Sequence, residues 1–209
     1  MPRMSQVTWT VEIDLWNHGY RSIAGLDEAG RGALAGPVVA AAVMLPPHTC
    51  LEHIDDSKRL SREERVRLWQ QIQRCALAIG VGLIAADVID AMNVRRGTLL
   101  AMQSAIEELR RRPDYLLIDG RDAVPWRCSQ QAVVRGDQTV GSIAAASIVA
   151  KVTRDRLMER LDAVWPGYGF AQHKGYGTSA HLRAIRELGP SAIHRKTFRG
   201  VRPMTDQHG

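Results

Sequence analysis

Cysteine is scarce in this chain. Cys50, Cys75 and Cys128 are scattered over 209 positions, with no CxxC pair and no even framework. This excludes a disulfide-stapled scaffold and a zinc site of closely spaced ligands. It predicts free, mostly buried thiols in a reducing compartment. Long apolar runs are missing too. The longest, residues 38–45, is strand-sized and falls far short of the ~20 residues of a membrane span. Residues 1–13 contain Glu12 and no apolar stretch, so they do not read as a secretory leader. The expectation is a soluble cytoplasmic protein with no membrane partner. Internal repeats and low-complexity linkers are absent.

The length suits one domain, and 45% hydrophobic with 24% charged residues gives enough apolar surface for a core. The formal net charge is +6 and the isoelectric point about 9.6. In residues 171–209, seven Lys/Arg face two acids, whereas the first 170 residues carry 21 basic against 20 acidic residues. That asymmetry points to a polyanionic partner near the C-terminal end, or to a solvated basic tail.

Residues 22–26 form a short apolar segment ending in Asp27-Glu28, and a glycine-rich turn, 30–37, leads to the apolar run 38–45. A continuous run of this kind fits a strand buried on both faces, and the pair suggests a hairpin or meander. Ser61 and Glu64 make a capping-box pattern, and Leu68, Ile72, Cys75 and Ile79 recur at helical spacing. Residues 80–86 read as a third strand. Leu99, Met102, Ile106 and Leu109 mark a second helix that Pro113 ends. Residues 115–118 and 131–134 read as two more strands. A long helix over 140–161 contains Ala144, Ala145 and Ala146, small enough to lie close on a sheet, and residues 179–188 form a last helix. The order predicts an α/β fold with a mixed sheet covered by helices.

Three predicted strand ends carry acids: Asp27-Glu28, Asp119 and Asp137. Each has an ordinary alternative: solvated turn residues for the first, an Asx-type turn for Asp119-Gly120, a helix cap for Asp137. Recurrence of one placement favours convergence at one sheet edge, where ligand sites of open α/β sheets gather. Several ionised carboxylates at one spot repel unless a cation compensates, and an all-oxygen set suits Mg2+ or Mn2+. Two such ions roughly 4 Å apart can activate water and stabilise the leaving oxygen of a phosphodiester. Arg31 in the Gly30-Arg31-Gly32 loop can meet phosphate, although a tight turn explains the glycines equally well. No Gly-Lys-Ser/Thr follows to make a P-loop, and a strand rather than a helix follows the loop, which excludes a dinucleotide fingerprint. A second island, 173–178 (HKGYGT), offers Tyr176 for stacking on a sugar or base, or is simply a loop with a half-buried tyrosine.

The stretch 25–32 (GLDEAGRG) with 34–43 (LAGPVVAAAV) resembles the opening of ribonuclease HII. Further matches follow in the family's order: 56–61 (DSKRLS), Ile118-Asp119-Gly120, Gly136-Asp137, 142–156 (SIAAASIVAKVTRDR) and 173–178. The similarity covers residues 24–198. It implies a ribonuclease H-like mixed five-stranded sheet flanked by helices, over residues 1–165, with a basic C-terminal helical segment over 166–209 packed on that core. It further implies metal ligation and catalysis by Asp27, Glu28, Asp119 and Asp137 with two Mn2+ or Mg2+ ions. Gly30, Arg31, Gly32 and Tyr176 would sense the 2′-OH at an RNA–DNA junction. The implied activity is cleavage of RNA–DNA hybrids, and of duplex DNA 5′ of a single embedded ribonucleotide, leaving 3′-OH and 5′-phosphate ends during ribonucleotide removal. Lys58 and Lys151 are candidate phosphate contacts, exposed lysines being otherwise solvated. A monomer is the simplest expectation. Ala33 stands where the family commonly has proline, which predicts a slightly looser loop. Two rival readings are a nucleic-acid-binding module without catalysis and another metal nuclease of the ribonuclease H-like fold, such as a junction resolvase.

Overall fold

The computed structural model describes residues 7–49, 51 and 53–201. Five strands form one sheet in the order β3-β2-β1-β4-β5: β1 (Ile23–Ala29), β2 (Val38–Met44), β3 (Ala78–Ile84), β4 (Tyr115–Asp119) and β5 (Ser129–Val133). The first three run as an antiparallel meander. β4 and β5 add in parallel beyond β1, so the sheet is mixed.

β2 is buried from end to end because both faces are covered. Ala40, Ala42 and Met44 turn to one side, where they meet Ala101, Met102, Ala105 and Ile106 of helix α4 (Val94–Glu107). Ala41 and Val43 turn to the other, against Leu68 and Ile72 of α2 (Arg62–Cys75) and Ala144–Ala146 of α5 (Gly141–Val164). This period-two alternation is the strand geometry expected of a central strand. The small residues of α5 bring it very close to β1. A methyl group on Gly25 would lie 2.2 Å from the Ser142 carbonyl carbon and oxygen.

The Ser61 capping box is present. Ser61 Oγ accepts from the Glu64 amide at 3.2 Å, and the Glu64 carboxylate accepts from the Ser61 amide at 2.7 Å. The helix it opens stops at Cys75, short of Ile79. The Leu77 amide donates to Met44 O at 2.8 Å, and the chain enters β3. Ile79 still packs on the cluster containing Leu68 and Ile72, so the apolar spacing runs on although the chain has become a strand. Three short helices carried no clear periodic signal: α1 (Thr10–Asn17), α3 (Ala86–Met92) and α6 (Phe170–His173). Cys75 and Cys128 are free but only half-buried, contrary to the expectation of buried thiols, and Cys50 lies outside the described residues.

After α5 the chain turns at Trp165, passes α6 and α7 (Ser179–Leu188), and returns across the glycine-rich loop. Leu34 N–H donates to Gly175 O, Arg195 N–H to Leu34 O and Gly36 N–H to Ile193 O, each at 2.8 Å. Segment 30–37 is thereby stitched to two stretches of the C-terminal segment. No helix among the described residues is long and apolar enough to cross a membrane.

Candidate active site

β1 continues through Asp27 and Glu28 to Ala29, so these acids lie within the strand rather than beyond its end. β1 pairs in parallel with β4 up to Leu26↔Ile118, which sets Asp27 beside Asp119. β5 lies beyond β4, and Asp137 follows it in a short 3-10 turn, Gly136–Gln138. The Asp137 amide donates to Asp119 Oδ1 at 3.3 Å, which ties the two acids together; Asp137 is not the cap of α5, whose N-cap is Val140 with no side-chain cap bond. Asp27 Oδ1 accepts from the Glu28 amide at 2.7 Å and its carboxylate from the Ser147 hydroxyl, which in turn lies 2.8 Å from Ser57 Oγ.

The electrostatics are those of crowded anions. Burial pushes the Asp27 carboxyl well above the usual carboxylate range, and the charges of Glu28 and Asp119 push it further. Burial also raises Glu28, opposed by the Arg31 guanidinium 3.6 Å away. Asp119 is raised by burial and by Asp137. Lys58 Nζ donates to Asp137 Oδ2 at 2.8 Å; burial works against its charge, but that bond together with the charges of Asp137, Asp27 and Asp56 outweighs it, and the ammonium is held more firmly protonated. Among the described residues no three His, Cys, Asp or Glu side chains already form a closed metal-holding group. The acids are joined pairwise, with Lys58 and Arg31 as the cations beside them.

A cleft of about 500 Å³ lies over these groups. Asp27, Glu28 and Asp119 line it, with Gly30, Arg31, Gly32, Lys58, Lys151 and Tyr176. Asp137 does not line it and reaches it through Lys58 and Asp119. Of the two candidate phosphate contacts, Lys58 is exposed, and Lys151 is 20% exposed and bonded to Asp155 at 2.7 Å, so the alternative of a freely solvated lysine does not describe it. Tyr176 is half-buried, with Lys151 Nζ and the Arg154 guanidinium over its ring at 5.7 and 5.3 Å. Ala33 is buried, and its amide donates to Gly30 O at 3.2 Å, a closure that a proline could not make.

Sequence reasoning missed Arg65, which also lines the cleft, and two buried arginines behind it. Arg154 donates to the carbonyls of Pro37, Lys174 and Ala35 at 2.9–3.1 Å. Arg195 donates to Gly36 O and Arg31 O at 2.8–3.1 Å. Neither has a carboxylate among these partners, and burial pushes Arg195 down to about 10. Arg154 explains Gly30: a methyl group there would lie 1.9 Å from its Nε, at a backbone φ of +89°. One signal was available, since Ala150, Arg154 and Met158 lie four apart on the buried stripe of α5. The same burial revises the basic tail. Arg195 is interior, Lys174 is bonded to Glu159, and Arg202 and Asp206 lie outside the described residues, leaving Arg183, Arg186, Lys196 and Arg199 exposed.

Residues 24–201 match the family model described as ribonuclease HII. This chain belongs to the ribonuclease HII family. It is 58% identical over 194 residues to a ribonuclease HII of Geobacter sulfurreducens, covering 93% of this chain and 89% of that one. It is 52% identical over 191 residues to one of Geobacillus kaustophilus, covering 91% and 73%. Among solved structures, ribonuclease H2 from Pyrococcus horikoshii OT3 superposes with a TM-score of 0.72 at 25% identity, over 87% of this chain and 95% of that one. Ribonuclease HII of Archaeoglobus fulgidus, solved in complex with PCNA, gives 0.69 at 26%, over 85% and 95%. A Bst ribonuclease HIII in complex with Mn2+ shares the fold, with a TM-score of 0.65 at 20% identity over 88% and 68%. As a ribonuclease HII family member, the chain is a hydrolase with ribonuclease H endonuclease activity.

Proposed function

We propose that this ribonuclease cuts DNA 5′ of an embedded ribonucleotide, as well as the RNA of RNA–DNA hybrids, with two divalent ions held by Asp27, Glu28, Asp119 and Asp137. One observation carries the reading: three of these acids and both glycine-rich islands face one cleft. The donor chemistry fits the ions. Oxygen-only ligands suit Mg2+ or Mn2+, and acids whose charges are disfavoured by burial and by each other need positive charge nearby. When bound, such ions supply a deprotonated water and stabilise the leaving oxygen. The Mn2+ complex of the HIII relative is consistent with this choice.

The chain's own residues do the rest. Arg31, Lys58, Lys151 and Arg65 offer cations to phosphates along the cleft. Gly32, where a side chain would stand in open space, carries none to keep a backbone at a distance, Gly30 leaves room for Arg154 beneath the loop, and Tyr176 presents its ring and hydroxyl to the sugar. Residues 1–165 act as the core and 166–209 as a dependent substrate-binding segment that supplies Tyr176. The substrate is nucleic acid, and the working unit a cytoplasmic monomer. A pure binding module would be weakened by three acids facing a polyanion, so catalysis is favoured over it.

The test is a duplex DNA with one ribonucleotide, incubated with purified protein and Mn2+ or Mg2+, with and without chelator. The expected products end in 3′-OH and 5′-phosphate on the 5′ side of the ribonucleotide, and chelator abolishes them. Cleavage in chelator would overturn the metal role. Cleavage of hybrid but not of this duplex would overturn the junction role. Preference for a branched DNA would favour a resolvase.

A further inference from the structure

Three histidines lie behind Tyr176. His181 and His194 are 0% and 1% exposed, and His173 is half-buried. Their hydrogen-bonding roles follow from partners that have only one role. The Ser191 backbone N–H donates to His194 Nδ1 at 2.9 Å, and its hydroxyl lies 2.8 Å from the same nitrogen. His194 Nδ1 is therefore an acceptor, and the ring proton is on Nε2. That nitrogen stands 3.0 Å from His181 Nε2, so His194 donates and His181 accepts. The proton of His181 is then on Nδ1, 3.0 Å from the Tyr176 carbonyl, which can only accept. The assignment closes without conflict, with both imidazoles neutral.

His173 completes the bracket. Its Nδ1 accepts from the Gly175 amide at 3.2 Å, and its Nε2 lies 2.8 Å from Tyr168 O. Its own carbonyl accepts the Tyr176 amide at 3.0 Å. His173 and His181 stack at 4.4 Å, so stacked histidines reach both backbone polar groups of Tyr176, whose carbonyl also accepts the Thr178 amide at 2.8 Å. Ala35 bridges His194 across to the glycine-rich loop. Buried polar rings among Phe170 and Tyr168 are costly unless every bond is made. Packing alone would be met more cheaply by apolar side chains.

We infer that His181, backed by His194, is a positioning residue for Tyr176. The relay from Ser191 through both neutral rings to the Tyr176 carbonyl sets where the Tyr176 side chain stands in the cleft. The inference rests on the proposed junction-sensing role of Tyr176. An added proton has no place in the relay: on His181 Nε2 it would face the His194 N–H, and on His194 Nδ1 it would face the Ser191 N–H. Burial accordingly pushes both histidines down, His194 to about 4.

The experiment compares kcat/KM on a one-ribonucleotide duplex with kcat/KM on an uninterrupted RNA–DNA hybrid. It uses His181→Asn, His181→Gln, His181→Phe, Tyr176→Ala and the double variant Tyr176→Ala/His181→Phe, each checked by thermal unfolding. Asn keeps an amide N–H where Nδ1–H donates, whereas Gln carries its amide towards the Nε2 side. The Asn variant should keep wild-type selectivity. Gln and Phe should lose it by on the order of tenfold, as supporting partners typically do, and Phe should add nothing in the Tyr176→Ala background. Full additivity, or Asn and Gln losing equally, would overturn the inference. If the Phe variant does not fold, the Asn–Gln contrast decides. Unchanged selectivity in Tyr176→Ala itself would remove the role of that tyrosine and the inference with it. A normal Tyr176→Ala loss with an indifferent His181→Gln would remove the inference alone.

Discussion

A carboxylate such as Asp27 is costly where it stands, 4% exposed and beside Glu28 and Asp119. Replacing it with Asn keeps the shape and removes the charge. In chelator the Asp27→Asn protein should therefore unfold no lower than wild type, and up to a few degrees higher for a relief of about 1 kcal/mol. Mn2+ at about a hundredfold over its dissociation constant should stabilise wild type by about 2.7 kcal/mol and the variant much less. Thermal scans with and without Mn2+ check both statements. A drop of several degrees in chelator would make Asp27 a structural anchor instead of a metal ligand. The acids were legible in the sequence because their placement at strand ends repeats. Arg195 was not, because what lets a guanidinium be buried here is a set of carbonyls from distant segments, and Arg154 showed only its place on the buried stripe of α5, which does not say what its guanidinium meets.

At the level of elements, the close approach of α5 to β1 depends on Gly25. The groups a side chain would strike belong to the α5 backbone and cannot rotate away. Gly25→Ala should cost about 3 kcal/mol as overpacking, read as a shift in denaturant midpoint at constant slope. A cost under about 0.5 kcal/mol, the ordinary range of neutral surface changes, would contradict the packing described. The strands and the long helices were readable from apolar spacing and from the Ser61 cap. α1 was not, since its N-cap Trp9 makes no side-chain cap bond. α3 was hidden by its shortness and by Asn93, whose positive φ of 74° separates it from α4 where the sequence shows no glycine or proline. The run through Ile79 misled for the opposite reason, as two elements present apolar residues to one core.

Across the whole molecule, core and C-terminal segment share their hydrogen bonds around the glycine-rich loop. Calorimetry should therefore show one cooperative transition, with equal van't Hoff and calorimetric enthalpies. Two separated transitions would mean the segment folds alone. Stability should also fall with acid because of the histidine relay. His194 is held at about 4 against 6.5 for a free histidine. Between those values the unfolded chain takes up a proton that the folded chain refuses. The contribution is whole above pH 6.5 and is lost as pH falls towards 4, by about 3 kcal/mol. Around the pair, the titratable neighbours are His173 and Tyr168, with Ser191 and Phe170 completing the contacts. The measure is the pH slope of unfolding free energy for wild type against His194→Gln. Equal slopes would contradict it.

In the proposed mechanism Asp119 and its three acidic neighbours hold the cations that cut. That role is tested most directly by single-turnover cleavage of a one-ribonucleotide duplex in Mn2+ by Asp119→Asn protein with a wild-type melting temperature. The expected result is a rate lower by at least about a hundredfold, the scale for losing a charge-stabilising group. A rate within threefold of wild type, from protein free of contaminating nuclease, would contradict the account.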